Sequence, residues 1–160
     1  GKITEIKLPE SFIGNATGGW GTFPNLDYLY LPKNVRFTTK IAYFRVKSIE
    51  VSSENPYLQS INNEYILSKD GTELYWVKSN LTDVEIPESV KIIKQYALLY
   101  SIAESIQLPK EVTKIEGNIL SSSSIKKLEI NSKIEEISTN AFINANNLTE
   151  IIVHKKMMEH

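Results

Sequence analysis

The sequence predicts a strand-rich α/β solenoid, in which one short unit is repeated and stacked along the chain. The first observation behind this prediction is an apolar phrase, L-x-x-I-x-L, that occurs seven times in the 160 residues. Its last apolar members are Leu8, Leu31, Val51, Ile86, Leu108, Ile130 and Val153. The second observation is the interval, which is 20 to 23 residues except for a step of 35 residues between Val51 and Ile86. A unit this short cannot bury its apolar side alone, so neighbouring units must share one core.

The apolar phrase itself predicts a short strand. In the fourth unit, Val84 and Ile86 alternate with polar residues, which suits a strand with one buried face. Pro87 follows directly and lacks a backbone donor, so we expect the strand to end there. Stacked units would place Val84, Ile106 and Leu128 on successive rungs of one continuous parallel sheet, on one face of a right-handed solenoid.

The second half of each unit predicts a return turn. Val90, Ile93 and Ala97 follow one another at spacings of three and four residues. This spacing is typical of a compact helical or 3₁₀ segment. We therefore expect short helical or 3₁₀ returns on the face opposite the sheet.

The third unit departs from this plan after Val51. Residues 65–77 contain two β-prone runs that flank Lys-Asp-Gly-Thr. The pair Asp70-Gly71 favours a tight turn because it tolerates positive φ. We expect one inserted β-hairpin at about residues 62–78, which replaces the usual return and accounts for the 35-residue step.

Composition limits the classes of partner. The formal net charge is −1, which gives no general attraction to nucleic acid, so we expect no nucleic-acid partner. No apolar run approaches the roughly 18 residues of a membrane span, so we expect no membrane insertion by this segment. We expect a single domain over residues 1–160. Because the chain begins and ends inside a repeat, we also expect it to be a segment of a longer protein.

The sequence offers little catalytic chemistry. Cysteine is absent, and His154 and His160 both lie at the end of the chain. Without a cysteine or a histidine pair in the repeats, thiolate and zinc chemistry are excluded there. The run Ser121–Ser124 has no nearby base and is interpreted as a polar return loop. We therefore expect no enzyme, metal or cofactor.

The outward face of the sheet is the candidate binding surface. Residues two apart on a strand share a face, so two outward rows should run side by side. The residues singled out from these rows are Tyr28, Tyr30, Glu50, Asp83, Glu85, Gln107, Lys127 and Glu129. Tyr28 and Tyr30 form an aromatic pair of the kind enriched at interfaces. A solvated face with incidental tyrosines is the alternative interpretation.

The other aromatic residues fall mainly on predicted core positions. Trp20, Phe23, Tyr43 and Phe142 are assigned to packing. Tyr75 and Trp76, in the inserted hairpin, are compatible with either packing or binding.

The repeat resembles a known family. The pattern L-x-x-I-x-I-P-x-x-V-x-x-I-x-x-x-A-F, most complete at residues 134–148, is similar to the BspA-like leucine-rich repeats of bacterial surface proteins. The chain departs from the family where a buried cysteine is usual, with Ala145 and Phe23 at that position. The resemblance implies a leucine-rich repeat solenoid on an exported or cell-surface protein, often with roles in adhesion, host contact or matrix binding.

Residues and resemblance together favour a non-catalytic recognition segment on the cell surface. Its partner would be a host or matrix protein, or a glycan, bound through the exposed face of the sheet. Two alternatives remain open. One is a structural spacer with no ligand, and the other, less favoured, is a glycan-active enzyme.

Overall fold

The computed structural model of the chain describes residues 3–12, 14–15, 26–36 and 45–155. These residues form a strand-rich, parallel β-solenoid of about six turns. The first eight strands are β1 (Glu5–Lys7), β2 (Gly14–Asn15), β3 (Tyr28–Leu31), β4 (Val35–Arg36), β5 (Ile49–Val51), β6 (Leu58–Ile61), β7 (Tyr65–Ser68) and β8 (Glu73–Val77). The remaining six are β9 (Ile92–Ile93), β10 (Ser105–Gln107), β11 (Lys114–Ile115), β12 (Lys127–Asn131), β13 (Glu136–Ile137) and β14 (Glu150–His154).

The apolar phrases form two separate parallel sheets of three strands each. The first sheet has the order β1-β3-β5 and the second β10-β12-β14. In the second sheet Ile106 lies opposite Leu128, and Leu128 opposite Ile151. Ile106 and Leu128 are therefore neighbouring rungs, as predicted, with exposed fractions of 1% and 0%.

A six-stranded sheet forms the other wall of the solenoid, in the order β13-β11-β9-β8-β7-β6. Three of its strands, β9, β11 and β13, are parallel and occupy the segments predicted as helical returns. Ile93 lies opposite Ile115, and both are fully buried. A further pair of short parallel strands, β2 and β4, lies in the first two units.

The predicted helical and 3₁₀ returns are wrong, because the described residues contain no helix of either kind. The turns instead contain left-handed residues at a fixed interval, since Tyr100, Ser122 and Asn144 all have φ between 53° and 63°. Tyr96 and Asn118 repeat the same feature four residues earlier in their turns. Left-handed residues four positions apart interrupt any right-handed helix, so the described residues form a strand-rich β-solenoid and not the predicted α/β class.

The inserted segment contains three antiparallel strands, β6, β7 and β8. The turn between β7 and β8 has Gly71 at φ +79°. Asp70 Oδ1 accepts hydrogen bonds from Ser68 Oγ at 2.7 Å and from Thr72 N at 3.1 Å, which fix this turn. The other turn, between β6 and β7, contains Asn62 and Asn63, both with positive φ. β8 then pairs in parallel with β9, which joins the insertion to the wall of the solenoid.

The insertion separates two hydrophobic cores. All four residues of β7 are buried. Ile66 packs in the core formed with the first three units, whereas Tyr65 and Leu67 pack in the core of the later units. Trp76, which is 3% exposed, joins the first core. β7 is therefore a partition with a different core on each face.

The outcomes for the predicted core aromatics are mixed. Phe142 is only partly buried and packs against the second core. Trp20, Phe23 and Tyr43 lie outside the described residues. Trp76 belongs to the packing, and Tyr75 is partly buried beside it.

The prediction of one continuous sheet is wrong at the fourth unit. Residues 81–86 form no strand, so Val84 is not a rung beside Ile106. The inserted segment already occupies the edge of β5. Ile49 N donates to Asn63 O in the turn after β6 at 3.2 Å, and Val51 N donates to the side-chain Oγ of Ser60 at 3.0 Å. The fourth unit therefore has no free edge of the first sheet to pair with.

Alanine substitutions of neighbouring residues test the partition. We expect Ile66→Ala and Leu67→Ala each to lower the free energy of unfolding by about 2–5 kcal/mol, because each leaves a cavity in a different core. Strand β10 is buried on one face only. There, Ile106→Ala should lower the free energy of unfolding by a similar amount, whereas Gln107→Ala should change it by no more than about 0.5 kcal/mol. Denaturant unfolding of the four variants measures these differences. A near-neutral effect of either β7 variant would contradict burial on both faces.

Candidate functional site

The first part of the candidate face is a tyrosine patch on the sheet of β1, β3 and β5. We define it by Tyr28, Tyr30 and Glu50. Tyr30 lies between Lys7 and Glu50 on neighbouring strands. The Tyr28 hydroxyl donates to Glu50 Oε2, and the Tyr30 hydroxyl donates to Glu10 Oε1 at 2.7 Å. The patch is thus a pre-ordered group of two rings whose hydroxyls are held by carboxylates of the same chain.

Burial and electrostatics in the patch disfavour ionisation of the Tyr28 phenol. Partial burial and the hydrogen bond to Glu50 raise the pKa of Tyr28 from 10.0 to about 12. The Lys7 ammonium lies 5.2 Å from the centre of the Tyr30 ring, within the range of a cation–π contact. The patch therefore presents neutral hydroxyls, apolar ring area and one nearby cation at ordinary pH.

The second part of the face is an open cleft between the fourth unit and β10. It has a volume of about 730 Å³, which lies within the range of ligand sites in proteins. The acidic residues that line it are Asp83, Glu85, Glu104 and Glu129. Ser105 and Gln107 of β10 line the opposite wall, and Ile102, 46% exposed, lies at the rim. We call this feature the acidic cleft.

Tyr65 holds the fourth unit in place beside this cleft. The Glu85 backbone N donates to the Tyr65 hydroxyl at 2.8 Å. The Tyr65 ring is buried in the second core, with an exposed fraction of 7%. A buried side chain of the insertion thus accepts a hydrogen bond from the backbone of a segment that forms no strand.

The structure divides the eight predicted residues between these two places. Tyr28, Tyr30 and Glu50 form the tyrosine patch, whereas Asp83, Glu85, Gln107 and Glu129 line the acidic cleft. Lys127 lies on β12 beside Ser105, outside the lining of the cleft. The rows are in register within each sheet but do not cross the fourth unit. Their role in binding remains a prediction.

Two important residues were missed by sequence reasoning. The sequence pattern places Tyr65 in a β-prone run and predicts nothing more, because nothing in it links the Tyr65 hydroxyl to an amide 20 residues later. Asn55, fully buried, donates from Nδ2 to Pro32 O and Val35 O and accepts at Oδ1 from Tyr57 N and Leu58 N. An asparagine a few residues after an apolar phrase could have indicated this buried position, since its side chain can form hydrogen bonds with several backbone groups.

The described residues show no catalytic arrangement. Ser123 Oγ is the one buried side-chain polar atom without a hydrogen-bond partner in this part of the chain, so no base contacts it. Nε2 of the exposed His154 lies 3.2 Å from Glu129 Oε1. Within the same ranges, no group of three or more histidine and carboxylate side chains is placed to hold a metal ion.

None of the described segments is a helix long and apolar enough to span a membrane.

Comparison with known families decides the identity of the repeat. The model of the BspA-type leucine-rich repeat region matches residues 68–159, with six copies. This match covers more than half of the chain. The chain belongs to the BspA-type leucine-rich repeat family. The family resemblance noted in the sequence is thereby confirmed, and the match extends over residues 68–159. No significant match is found among curated proteins.

Solved structures of bacterial repeat proteins share the fold. A leucine-rich repeat protein from Eubacterium ventriosum superposes with a TM-score of 0.64 at 22% identity, covering 82% of this chain and 37% of that one. The pneumococcal vaccine antigen PcpA superposes with a TM-score of 0.69 at 17% identity, covering 96% of this chain and 51% of that one. The chain thus spans about half or less of the length of these proteins.

Removing one hydroxyl tests the anchor of the fourth unit. We expect Tyr65→Phe to lower the free energy of unfolding by about 1 kcal/mol, because one hydrogen bond is lost while the ring stays packed. Amide hydrogen exchange at Glu85 should become faster. Tyr57→Phe is the matched control, since that ring is 40% exposed and stacks with Arg36 through its face. Unchanged exchange at Glu85 in Tyr65→Phe would contradict the anchor.

The raised pKa of Tyr28 predicts a loss of stability in alkali. The folded state keeps the Tyr28 proton up to about pH 12, whereas the unfolded chain releases it near 10.0. The contribution of neutral Tyr28 is therefore complete below pH 10 and is lost as the pH rises towards 12. Glu50→Gln should lower the Tyr28 pKa only part of the way to 10.0, because burial persists. NMR titration of the tyrosine ring carbons measures both values, and an unchanged pKa in Glu50→Gln would exclude the carboxylate as a cause.

Proposed function

We propose that this chain is a non-catalytic recognition segment of a bacterial surface protein, which binds a host or matrix protein or a glycan through the exposed face of its parallel sheets. One observation carries the proposal. Polar and aromatic side chains stand in register on that face, with Glu5 beside Tyr28 and Lys7, Tyr30 and Glu50 in one row. Extended repeat surfaces of this kind are a common means of binding.

The comparisons support the surface location without establishing it. One similar structure is described as a vaccine antigen of the pneumococcus, which agrees with exposure to a host. Family membership also agrees with a non-enzymatic role, because the fold supplies an extended surface rather than an enclosed site. The tyrosine patch adds apolar ring area with polar tips, which is the chemistry enriched at interfaces.

A structural spacer is the second candidate, and one observation favours it. The hydroxyls of Tyr28 and Tyr30 already donate to carboxylates of this chain. A ligand would therefore contact the faces of the rings or would have to replace an internal hydrogen bond. A structural spacer requires no ligand contact at these rings, since it only has to keep its units stacked.

A double substitution separates recognition from the spacer. We expect Tyr28→Ala with Tyr30→Ala to weaken binding to a panel of matrix proteins and host glycans by roughly 30-fold, as expected for an interface centre worth about 2 kcal/mol. Both rings are partly buried and hydrogen-bonded, so the melting temperature should fall modestly, and binding is measured at a temperature at which circular dichroism shows the variant to be folded. Lys114→Ala with Glu136→Ala, on the opposite sheet, is the matched control. Surface plasmon resonance measures both pairs.

Equal binding of the two double variants would contradict recognition through the tyrosine patch. Absence of binding by the unmodified chain to every member of the panel would favour the spacer.

A further inference from the structure

The acidic cleft contains a strand edge that has no partner. In the regular steps, each unit receives hydrogen bonds from the next, as when Lys127 N donates to Glu104 O at 3.2 Å. The corresponding bond one unit earlier, from Ser105 N to Thr82 O, does not occur. Among the described strands, β10 pairs with β12 alone. Across the described residues, the backbone groups of Ser105 and Gln107 that face the fourth unit therefore have no hydrogen-bond partner.

The opening is held at both ends. Before the cleft, Ile102 N donates to Ser79 O at 2.9 Å, and beyond it Thr113 N donates to Lys91 O at 2.8 Å. On the opposite edge of the fourth unit, the Glu85 amide donates to the Tyr65 hydroxyl, which fixes this segment against the insertion and not against β10. The gap is thus built into the joint between two units. An unpaired edge of this kind is a template for another extended chain.

The charge of the cleft selects its occupant. Elsewhere, carboxylates pair with a lysine one unit away, such as Glu116 with Lys94 at 2.8 Å. Asp83 and Glu85 have no such ion pair among the described residues. Glu104 has only a distant contact, 3.7 Å from the exposed Lys126. The walls therefore carry uncompensated negative charge, which complements a cationic partner.

As a refinement of the proposed recognition function, on which it rests, we propose that the acidic cleft binds an extended, lysine- or arginine-containing segment of a partner protein. The main chain of that segment pairs with the free edge at Ser105 and Gln107. Alternate side chains of a strand point to opposite faces. Cationic side chains on one face then meet Asp83, Glu85 and Glu104, while apolar side chains on the other meet Val84 and Ile102.

Three synthetic peptides test the proposal on the unmodified chain. The probe is a capped hexapeptide of alternating lysine and valine. One control replaces lysine by glutamate, and the other keeps lysine but carries N-methyl groups on alternate amides along one edge. We expect only the probe to shift the NMR amide signals of Ser105 and Gln107, and its affinity should fall as salt is raised.

Charge variants supply the second measurement. Asp83→Asn, Glu85→Gln and Glu104→Gln together should weaken binding of the probe by about tenfold or more. Glu54→Gln with Glu135→Gln is the control, because both carboxylates are exposed and lie outside the cleft. The three substitutions in the cleft alter side chains only, so the hydrogen bond from the Glu85 backbone amide to the Tyr65 hydroxyl stays in place.

Three outcomes overturn the proposal. Binding of the N-methylated peptide as tightly as the probe means a cationic surface contact without strand pairing. The same shifts with calcium ion alone mean a cation site. No shift with any peptide means that the cleft is closed to chains. Failure of the peptide experiments does not affect the proposed role of the tyrosine patch. If the substitutions in the patch and in the cleft both leave binding to the matrix proteins and host glycans unchanged, the proposed function itself is refuted.

Discussion

The burial of β7 on both faces is the constraint on which the rest of this structure depends. A strand in a solenoid wall normally has one core face and one solvent face. In β7, Ile66 packs against the early units while Leu67 packs against the later ones. Burial of each such side chain contributes about 1.5–3 kcal/mol. The two stacks are joined through this strand, and neither could lose it without exposing core.

The same insertion determines the shape of the exposed face. Asn63 and Ser60 of the insertion accept hydrogen bonds from the edge of β5, and its Tyr65 hydroxyl accepts one from the Glu85 amide. The sheet is thereby divided into a tyrosine patch and an acidic cleft. The acidic cleft comes from this irregularity in the repeat, whereas the tyrosine patch lies on the regularly stacked strands β1, β3 and β5.

Contacts between units on the rest of the surface are repetitive and individually weak. Lys133 lies 2.7 Å from Glu111, and this lysine lowers the pKa of the Glu111 carboxyl. Lys47 and Asp27 form a similar pair at 3.0 Å, with both side chains about half exposed. Exposed pairs of this kind add little stability one by one. Stacking of apolar rungs, such as Ile106 on Leu128, therefore supplies most of the cohesion between units.

The sequence by itself determined the family, the spacing of the units and the rungs on either side of the fourth unit, because apolar residues at fixed intervals have few ways to be buried together. It also identified which side chains point outward within each sheet, since strand alternation has a strict period of two. It misjudged the returns, where left-handed residues such as Tyr100 exclude a helix despite helical spacing. Only the tertiary structure decided that the fourth unit forms no strand. That outcome depends on Tyr65 and Asn63 reaching backbone groups of other units, and such contacts leave no local pattern in the sequence.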